Sequence, residues 1–201
     1  MPVYSCPNPS TPPRPRGFRL IDNVIPPALE QDLVNWIDRQ PWNDKLKRRT
    51  QHYGYEYKYS SRNTSPATPM GGPILQVAQW LHQLGIMTPD QCIVNEYTHK
   101  QGIGSHADAP VFGPTVVSIS LLMPTNMRFT PVPHLGQGTP FTITLMPRSL
   151  LVLADEARYY WEHEIAGTRK TVSLPDGQSF NKDTSYRRVS ITYRTRVQST
   201  Q

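Results

Sequence analysis

The sequence predicts an α+β fold, a β-sandwich or barrel with helices on one side. Apolar residues recur at helical spacing in two segments of the N-terminal half, and short strand-like segments fill the rest of the chain. Helices followed by a run of strands are typical of α+β domains. The 201 residues suffice for one domain with a substantial core.

Two helices are predicted before the strands. The first begins after Pro26–Pro27, covers Ala28–Arg39 and presents apolar residues on one face. The second begins after Gly71–Pro73 and presents an apolar face over Ile74–Leu84. Gly85 follows, and it suits the left-handed conformation in which many helices end.

The strand-like segments are separated by turns of Gly, Pro and Asn. They are QCIVNEY, TVVSISLLM, MRFT, FTITLM, SLLVLA and RRVSITYRT. Two longer segments, Pro131–Pro140 and Thr168–Ser185, are predicted as loops. Loops of this length are often functional or mobile.

Composition limits the location and the partners. Residues 1–16 are proline-rich and are predicted to form a flexible tail, which leaves residues 17–201 as the folded domain. The net charge of +6, with a basic cluster at Lys45–Arg49, suits a nucleic-acid partner, although it also serves solubility. The longest apolar run, LLVLA, is too short to cross a membrane. With only Cys6 and Cys92 and no signal-peptide pattern, we expect a reducing location, in the cytoplasm, the nucleus or both.

The segment GIGSHADAP places His106 and Asp108 two residues apart. Residues with this spacing point the same way on a strand, so one strand could aim an imidazole and a carboxylate at a common point. His163, in the strand-like segment RYYWEHEI, is the candidate third ligand. Two histidines and one carboxylate on one face of a metal suit an Fe(II) oxygenase. A hydrogen-bonded surface pair would show the same His-x-Asp spacing, so the motif alone leaves both interpretations open.

The C-terminal strand has two different faces. One face carries two arginines that bracket two hydroxyls: Arg188, Ser190, Thr192 and Arg194. The other face is apolar: Val189, Ile191, Tyr193 and Val197. Guanidinium groups bind carboxylates in a bidentate manner, so a dicarboxylate could lie along the polar face, although an exposed edge strand would have the same composition. Asn95 and Tyr97 share a strand face upstream and could hold a small anion.

The combination resembles the AlkB family of Fe(II)/2-oxoglutarate dioxygenases. It consists of N-x-Y, H-x-D, a lone downstream histidine and R-x-S-x-T-x-R, in that order, and it covers about residues 17–196. The segments RRTQHYGYEYKY, QGIGSHAD, VSISL, PRSLLVL and RYYWEH are most similar to the AlkB-type domain of animal tRNA wobble-uridine hydroxylases.

The resemblance implies a double-stranded β-helix, or jelly roll, with supporting N-terminal helices. It implies that Fe(II) is held by His106, Asp108 and His163. It implies that 2-oxoglutarate is held by Asn95, Tyr97, Arg188, Ser190, Thr192 and Arg194, with Arg188 at the distal carboxylate and Arg194 near the metal. The implied chemistry uses O2, converts 2-oxoglutarate to succinate and hydroxylates a C–H bond of the substrate. A hydroxylated N-methyl group would then lose formaldehyde.

The resemblance also bears on the substrate. Bacterial DNA-repair members carry an acid where Pro110 stands here, and they tend to carry Asn in place of Ser190, so both positions point away from direct repair of alkylated bases. We therefore expect an enzyme that acts on modified nucleic acid, RNA more than DNA. We also expect the protein to be monomeric and not bound to a membrane. The alternatives are the same chemistry on a protein or small molecule, and a non-catalytic nucleic-acid-binding jelly roll.

Aromatic and basic side chains near the motifs are candidate substrate contacts, because such residues stack with and steer bases. The candidates are Arg49, Tyr53, Tyr55, Arg158 and Tyr160. The two tyrosines belong to an alternating stripe, Tyr53, Tyr55, Tyr57 and Tyr59, which could instead pack against the second helix. The remaining histidines are predicted to be surface or packing residues: His52, His82, His99 and His134.

Overall fold

The secondary structure is taken from a computed structural model that describes residues 13–58 and 60–197. The strands in these residues are β1 (Phe18–Ile21), β2 (Thr50–Tyr53), β3 (Tyr55–Lys58), β4 (Asn63–Pro66), β5 (Gln91–Thr98), β6 (Ile103–His106), β7 (Phe112–Leu122), β8 (Thr125–Pro131), β9 (Phe141–Leu145), β10 (Leu150–Leu153), β11 (Trp161–Ile165), β12 (Thr171–Ser173), β13 (Ser179–Asn181) and β14 (Arg187–Arg196). The helices are α1 (Pro27–Asp38), α2 (Gly72–Gln83) and α3 (Asp155–Tyr159).

Two antiparallel sheets form a jelly roll. The larger sheet has the order β1-β10-β7-β14-β5-β2, and the smaller sheet has the order β6-β11-β8-β9. The strands β1, β10, β7, β14 and β5 face the smaller sheet, and β2 extends the larger sheet beyond them. The α+β double-stranded β-helix with supporting helices is therefore confirmed.

Helices α1 and α2 cover the outer face of the larger sheet. Their buried residues pack against alternate residues of β5, β7 and β14. The helices contribute Leu33, Ile37, Ile74, Val77 and Leu81 to this core, and the strands contribute Cys92, Val94, Ile119, Ile191 and Tyr193. Complete burial of an aliphatic side chain stabilises the fold by about 1.5–3 kcal/mol. Both predicted helices are confirmed to within two residues at each end.

Strand β14 separates the helix layer from the interior of the jelly roll. Val189, Ile191 and Tyr193 are fully buried beneath the helices, and the alternate polar residues face the space between the sheets. The prediction that Val197 shares the apolar face is wrong. The pairing of β14 with β7 shifts register between Arg194 and Arg196, and Val197 lies past the strand end with 54% of its surface exposed.

A second apolar core lies between the two sheets. The rings of Phe129 and Phe141 stack with centroids 5.0 Å apart, and Phe18 meets Phe129 edge-on at 5.4 Å. Leu151 and Leu153 of β10 extend this core towards the polar side chains of β14. The space between the sheets is therefore apolar on one side and polar on the other.

The segment Thr168–Ser185, predicted as a loop, contains the short hairpin β12–β13. The side chain of Asn126 fixes this hairpin, because its Oδ1 accepts from the Ser173 backbone N–H at 2.8 Å and its Nδ2 donates to the Ser173 carbonyl at 2.8 Å. The polar contact comes from a distant strand, so local sequence patterns do not indicate it. The other predicted loop contains no strand between Val132 and Pro140.

The predicted tail lies mostly outside the described residues, since the description begins at Pro13. The part that is described packs against the domain. The Arg14 guanidinium lies 3.9 Å from the centre of the Phe141 ring, and the Arg16 backbone N–H donates to Glu156 at 3.2 Å. Packing thus begins before residue 17. No helix in the described ranges is both long and apolar enough to span a membrane.

Candidate active site

His106, Asp108 and His163 meet where β6 pairs with β11. The two histidines are directly paired across the strands, with ring centroids 4.4 Å apart, and His163 Nε2 lies 3.9 Å from Asp108 Oδ2. Strand β6 ends at His106, so the prediction that one strand carries both residues of the His-x-Asp motif is wrong. Asp108 reaches the same point from the turn that follows the strand.

Both imidazoles present a lone pair suited to a metal. The Nδ1 of His106 lies 2.8 Å from the Gly104 carbonyl oxygen. A carbonyl only accepts hydrogen bonds, so Nδ1 carries a proton, and the neutral form of this imidazole has its lone pair on Nε2. Burial lowers the pKa of His163 to about 4, despite the opposing effect of Asp108, and the ring is therefore neutral at pH 7.

Asp108 supplies the negative charge of the site. Burial alone would raise its pKa, but Arg194 and then the two histidines hold the pKa well below its usual range. Its Oδ1 forms an ion pair with the Arg194 guanidinium. In this arrangement no three His, Cys, Asp or Glu side chains of the described ranges form a preformed metal site. The donor set of two imidazoles and one carboxylate nevertheless fits Fe(II).

A cavity of about 50 Å³ lies next to these three residues, between the sheets. Its polar side is formed by the residues predicted to bind 2-oxoglutarate: Asn95, Tyr97, Arg188, Ser190, Thr192 and Arg194. The structure brings this whole set together with His106, Asp108 and His163.

Arg188 is the group in this cavity that most clearly requires an anion. Its exposed fraction is 1%, and its Nη2 donates to Ser120 Oγ at 2.9 Å. Its Nε and Nη1 are buried and have no hydrogen-bond partner within the described ranges. Burial without a counter-ion is costly for a guanidinium, and it lowers the pKa of Arg188. A carboxylate of a small ligand would supply the missing acceptor, so the residues that line the cavity suit a carboxylate of 2-oxoglutarate.

A wider cleft of about 610 Å³ opens above His106 and Asp108. Its basic lining side chains include Arg48, Arg62 and Arg194, and Asp108 is its only acidic lining residue in the described part of the chain. The cleft therefore carries more positive than negative side chains, and it leads to the candidate metal ligands.

None of the five predicted substrate residues lines this cleft. Tyr53 is buried in the core, where its hydroxyl donates to Gln51 Oε1 at 2.8 Å. Gly54, with a φ of +72°, follows β2 and separates Tyr53 from Tyr55. The Tyr55 ring lies against the Arg196 guanidinium, with 3.3 Å between Arg196 Cζ and the ring centre. The predicted stripe is thus interrupted. Tyr57 does line the cleft, and Tyr59 lies outside the described residues.

The two predicted substrate arginines make internal contacts. Arg49 forms a bidentate ion pair with Glu96, at 2.6 and 2.9 Å, and lies 4.4 Å from the Trp42 ring. Arg158 is 2% exposed and donates to the carbonyls of Asp108, Ala109 and Phe112, each at 3.0 Å. Arg158 therefore holds the turn that carries Asp108.

Two further placements differ from the predictions. Tyr160 is 44% exposed and does not line the cleft. It is the C-cap residue of α3, which ends at Tyr159. His52, predicted to be a surface or packing residue, lines the cleft with a buried Nδ1 that has no partner within the described ranges.

A jelly roll with two histidines, one carboxylate and a buried arginine around one cavity defines an Fe(II)/2-oxoglutarate oxygenase. The family model described as the 2OG-Fe(II) oxygenase superfamily matches residues 17–194, and the chain belongs to this family. The protein is accordingly a 2-oxoglutarate-dependent dioxygenase, and its family uses Fe(II), 2-oxoglutarate and O2.

Several curated relatives are AlkB homologues. The chain is 34% identical to the tRNA (carboxymethyluridine(34)-5-O)-methyltransferase ALKBH8 of Macaca fascicularis, over 75% of this chain and 24% of the relative. It is 32% identical to the "alkylated DNA repair protein ALKBH8 homolog" of Arabidopsis thaliana, over 74% of this chain and 50% of the relative. It is also 30% identical to the uncharacterized protein L905 of Acanthamoeba polyphaga mimivirus, over 89% and 84% of the two chains. The chain therefore spans half or less of the first two relatives.

Solved structures show the same fold at low sequence identity. OsALKBH1 superposes with a TM-score of 0.66 and 16% identity, over 92% of this chain and 100% of the other. A prolyl-4-hydroxylase of Pseudomonas putida superposes with a TM-score of 0.58 and 14% identity, over 90% and 93%.

Proposed function

We propose that the protein oxidises modified nucleic acid, RNA in preference to DNA, by hydroxylating or demethylating a base. The observation that carries this proposal is the cationic cleft above His106 and Asp108. Its open volume of about 610 Å³ can take an unstacked base, and Tyr57, Arg48 and Arg62 offer a ring and two charges for stacking and phosphate contact.

The residue roles follow from the two cavities. His106, Asp108 and His163 would hold Fe(II), and Arg188 would pair with the distal carboxylate of 2-oxoglutarate while Arg194 lies at the end near the metal. The remaining polar lining, Asn95, Tyr97, Ser190 and Thr192, would hydrogen-bond the same cosubstrate. When bound, the cofactors would supply the oxidation of a substrate C–H bond by O2, and Leu151 and Leu153 would form an apolar wall of the cavity beside them.

The preference for RNA is supported by the macaque relative, whose name refers to a uridine of tRNA. Pro110, which lines the cleft, stands where the DNA-repair members carry an acid. The names of other relatives refer to DNA, including a DNA N6-methyl adenine demethylase of Caenorhabditis elegans. The nucleic acid must therefore be identified by experiment.

The test is mass spectrometry of the nucleosides of tRNA, mRNA and DNA after incubation with the protein, Fe(II), 2-oxoglutarate and ascorbate. We expect one modified nucleoside of RNA to change, with succinate formed in equal amount. The control is His106→Ala, which removes a candidate ligand and should abolish both changes. If wild-type protein forms succinate with a protein or metabolite substrate and leaves every nucleoside unchanged, the nucleic-acid proposal is wrong.

A further inference from the structure

Arg48 connects the substrate cleft to the cosubstrate cavity. Its Nε donates to Asn95 Oδ1 at 2.9 Å, and it lines the cleft. Asn95 lines both the cleft and the cavity. Asn95 is therefore the residue through which Arg48 can affect the cosubstrate.

The contact fixes the orientation of the Asn95 amide. A guanidinium has only hydrogen-bond donors, so the atom of Asn95 that faces Arg48 must be its carbonyl oxygen. The amide nitrogen then points away from Arg48. Asn95 is paired with Ser190 across β5 and β14, and both residues line the cavity. A carboxylate accepts hydrogen bonds and cannot donate them, so only this orientation of the amide suits an anionic ligand in the cavity.

The backbone around Arg48 is attached to the end of β5 and the turn after it. The Arg49 carbonyl accepts from the Glu96 backbone N–H at 3.1 Å, and the Lys47 carbonyl accepts from the Gln101 side chain. The ion pair between Arg49 and Glu96 adds a third attachment. Because both neighbours of Arg48 are fixed, its side chain enters the site from a defined position.

We propose that Arg48 is a positioning residue for 2-oxoglutarate, which acts by holding the Asn95 amide with its nitrogen towards a cosubstrate carboxylate. This inference rests on the proposed role of the cavity as the 2-oxoglutarate site. Removing Arg48 frees the amide to turn, and the turned amide presents an oxygen to the carboxylate.

The test is a double-mutant cycle of Arg48→Met and Asn95→Ala. Met keeps the length of the aliphatic stem and removes the donor. The measured quantity is the Kd of 2-oxoglutarate for the Mn(II)-loaded full-length chain, by calorimetry without O2. We expect each single variant to raise the Kd about tenfold, and the double variant to stay within about twofold of Asn95→Ala, since residues that act through one contact are non-additive. Lys47→Met is the matched control, because it removes a neighbouring charge of the same cluster and should leave the Kd unchanged.

The cycle separates failure of this inference from failure of the proposed function. If the double variant shows the product of the two single effects, Arg48 does not act through Asn95. Asn95→Asp gives a second test, because it keeps an acceptor for Arg48, loses the amide donor and adds a negative charge beside the cavity, so it should bind 2-oxoglutarate at least as weakly as Asn95→Ala. Binding of Asn95→Asp at the wild-type level would overturn the inference. Wild-type protein that does not bind 2-oxoglutarate would instead overturn the proposed function of the cavity.

Discussion

At the scale of single residues, a buried arginine with donors that lack hydrogen-bond acceptors indicates that the cavity binds an anion. Arg188 is the clearest case, because its Nε and Nη1 are buried without an acceptor in the described part of the chain. Arg158 is buried to the same degree but donates to carbonyls of the turn that carries Asp108. The two arginines are equally buried, but only Arg188 also lines the cavity with buried donors that lack acceptors among the described residues.

Replacing Arg188 by Met separates ligand binding from stability. Met fills a similar volume without a charge, so the free energy of unfolding should stay within about 1 kcal/mol of wild type or rise. Binding of 2-oxoglutarate should weaken at least about 100-fold, since the paired charge is lost. Urea unfolding and calorimetry measure the two quantities. A large loss of stability with unchanged binding would show that Arg188 has a purely structural role.

Sequence patterns predicted the residues of β14 and β5 because the strand period of two assigns each side chain to a face. They failed for Arg48 and His52. These residues reach the site only because β2 pairs with β5, with Thr50 opposite Asn95 and His52 opposite Ile93. That register joins segments distant in sequence, and no local pattern encodes it.

At the scale of elements, Gly72 and Trp36 form a close contact between α2 and α1. Gly72, at the start of α2, has a φ of +52°, and a Cβ at this position would overlap the indole ring of Trp36 on α1. The glycines before Pro73 indicated where the helix begins. The reason for glycine there became clear only with the partner helix in place.

Gly72→Ala should therefore destabilise the fold more than Gly85→Ala does. Both glycines have positive φ, so both substitutions carry the left-handed penalty of about 1–2 kcal/mol. A Cβ at Gly85 meets no atom within 4 Å, whereas a Cβ at Gly72 also forces the Trp36 ring to move. We expect an additional loss of about 1–3 kcal/mol for Gly72→Ala in urea unfolding. Equal losses for the two variants would contradict the close packing of α1 and α2.

At the scale of the whole molecule, the fold places three functions in three separate regions. The helices close the outer face of the larger sheet, the space between the sheets holds the anion-binding cavity, and the cleft beside β6 opens to solvent. Composition indicated the net charge of +6 but not where the charge lies. The fold uses Arg49 and Arg158 internally and leaves Arg48 and Arg62 at the cleft, so the basic cluster only partly predicts the substrate surface.

The position of Arg62 makes the path of a nucleic-acid strand testable. Arg62 lies between β3 and β4 and lines the cleft. If a single strand crosses this hairpin, one phosphate contact is lost in Arg62→Ala, and the slope of log K against log salt concentration should become shallower by about 0.7. Arg128→Ala is the matched control, because Arg128 is an exposed arginine of β8 outside the cleft and should leave the slope unchanged. Fluorescence anisotropy with single-stranded RNA at several salt concentrations measures both slopes. Equal changes in the two variants would mean that the strand binds through general charge, and the cleft would then lose its support as the path to the oxidised base.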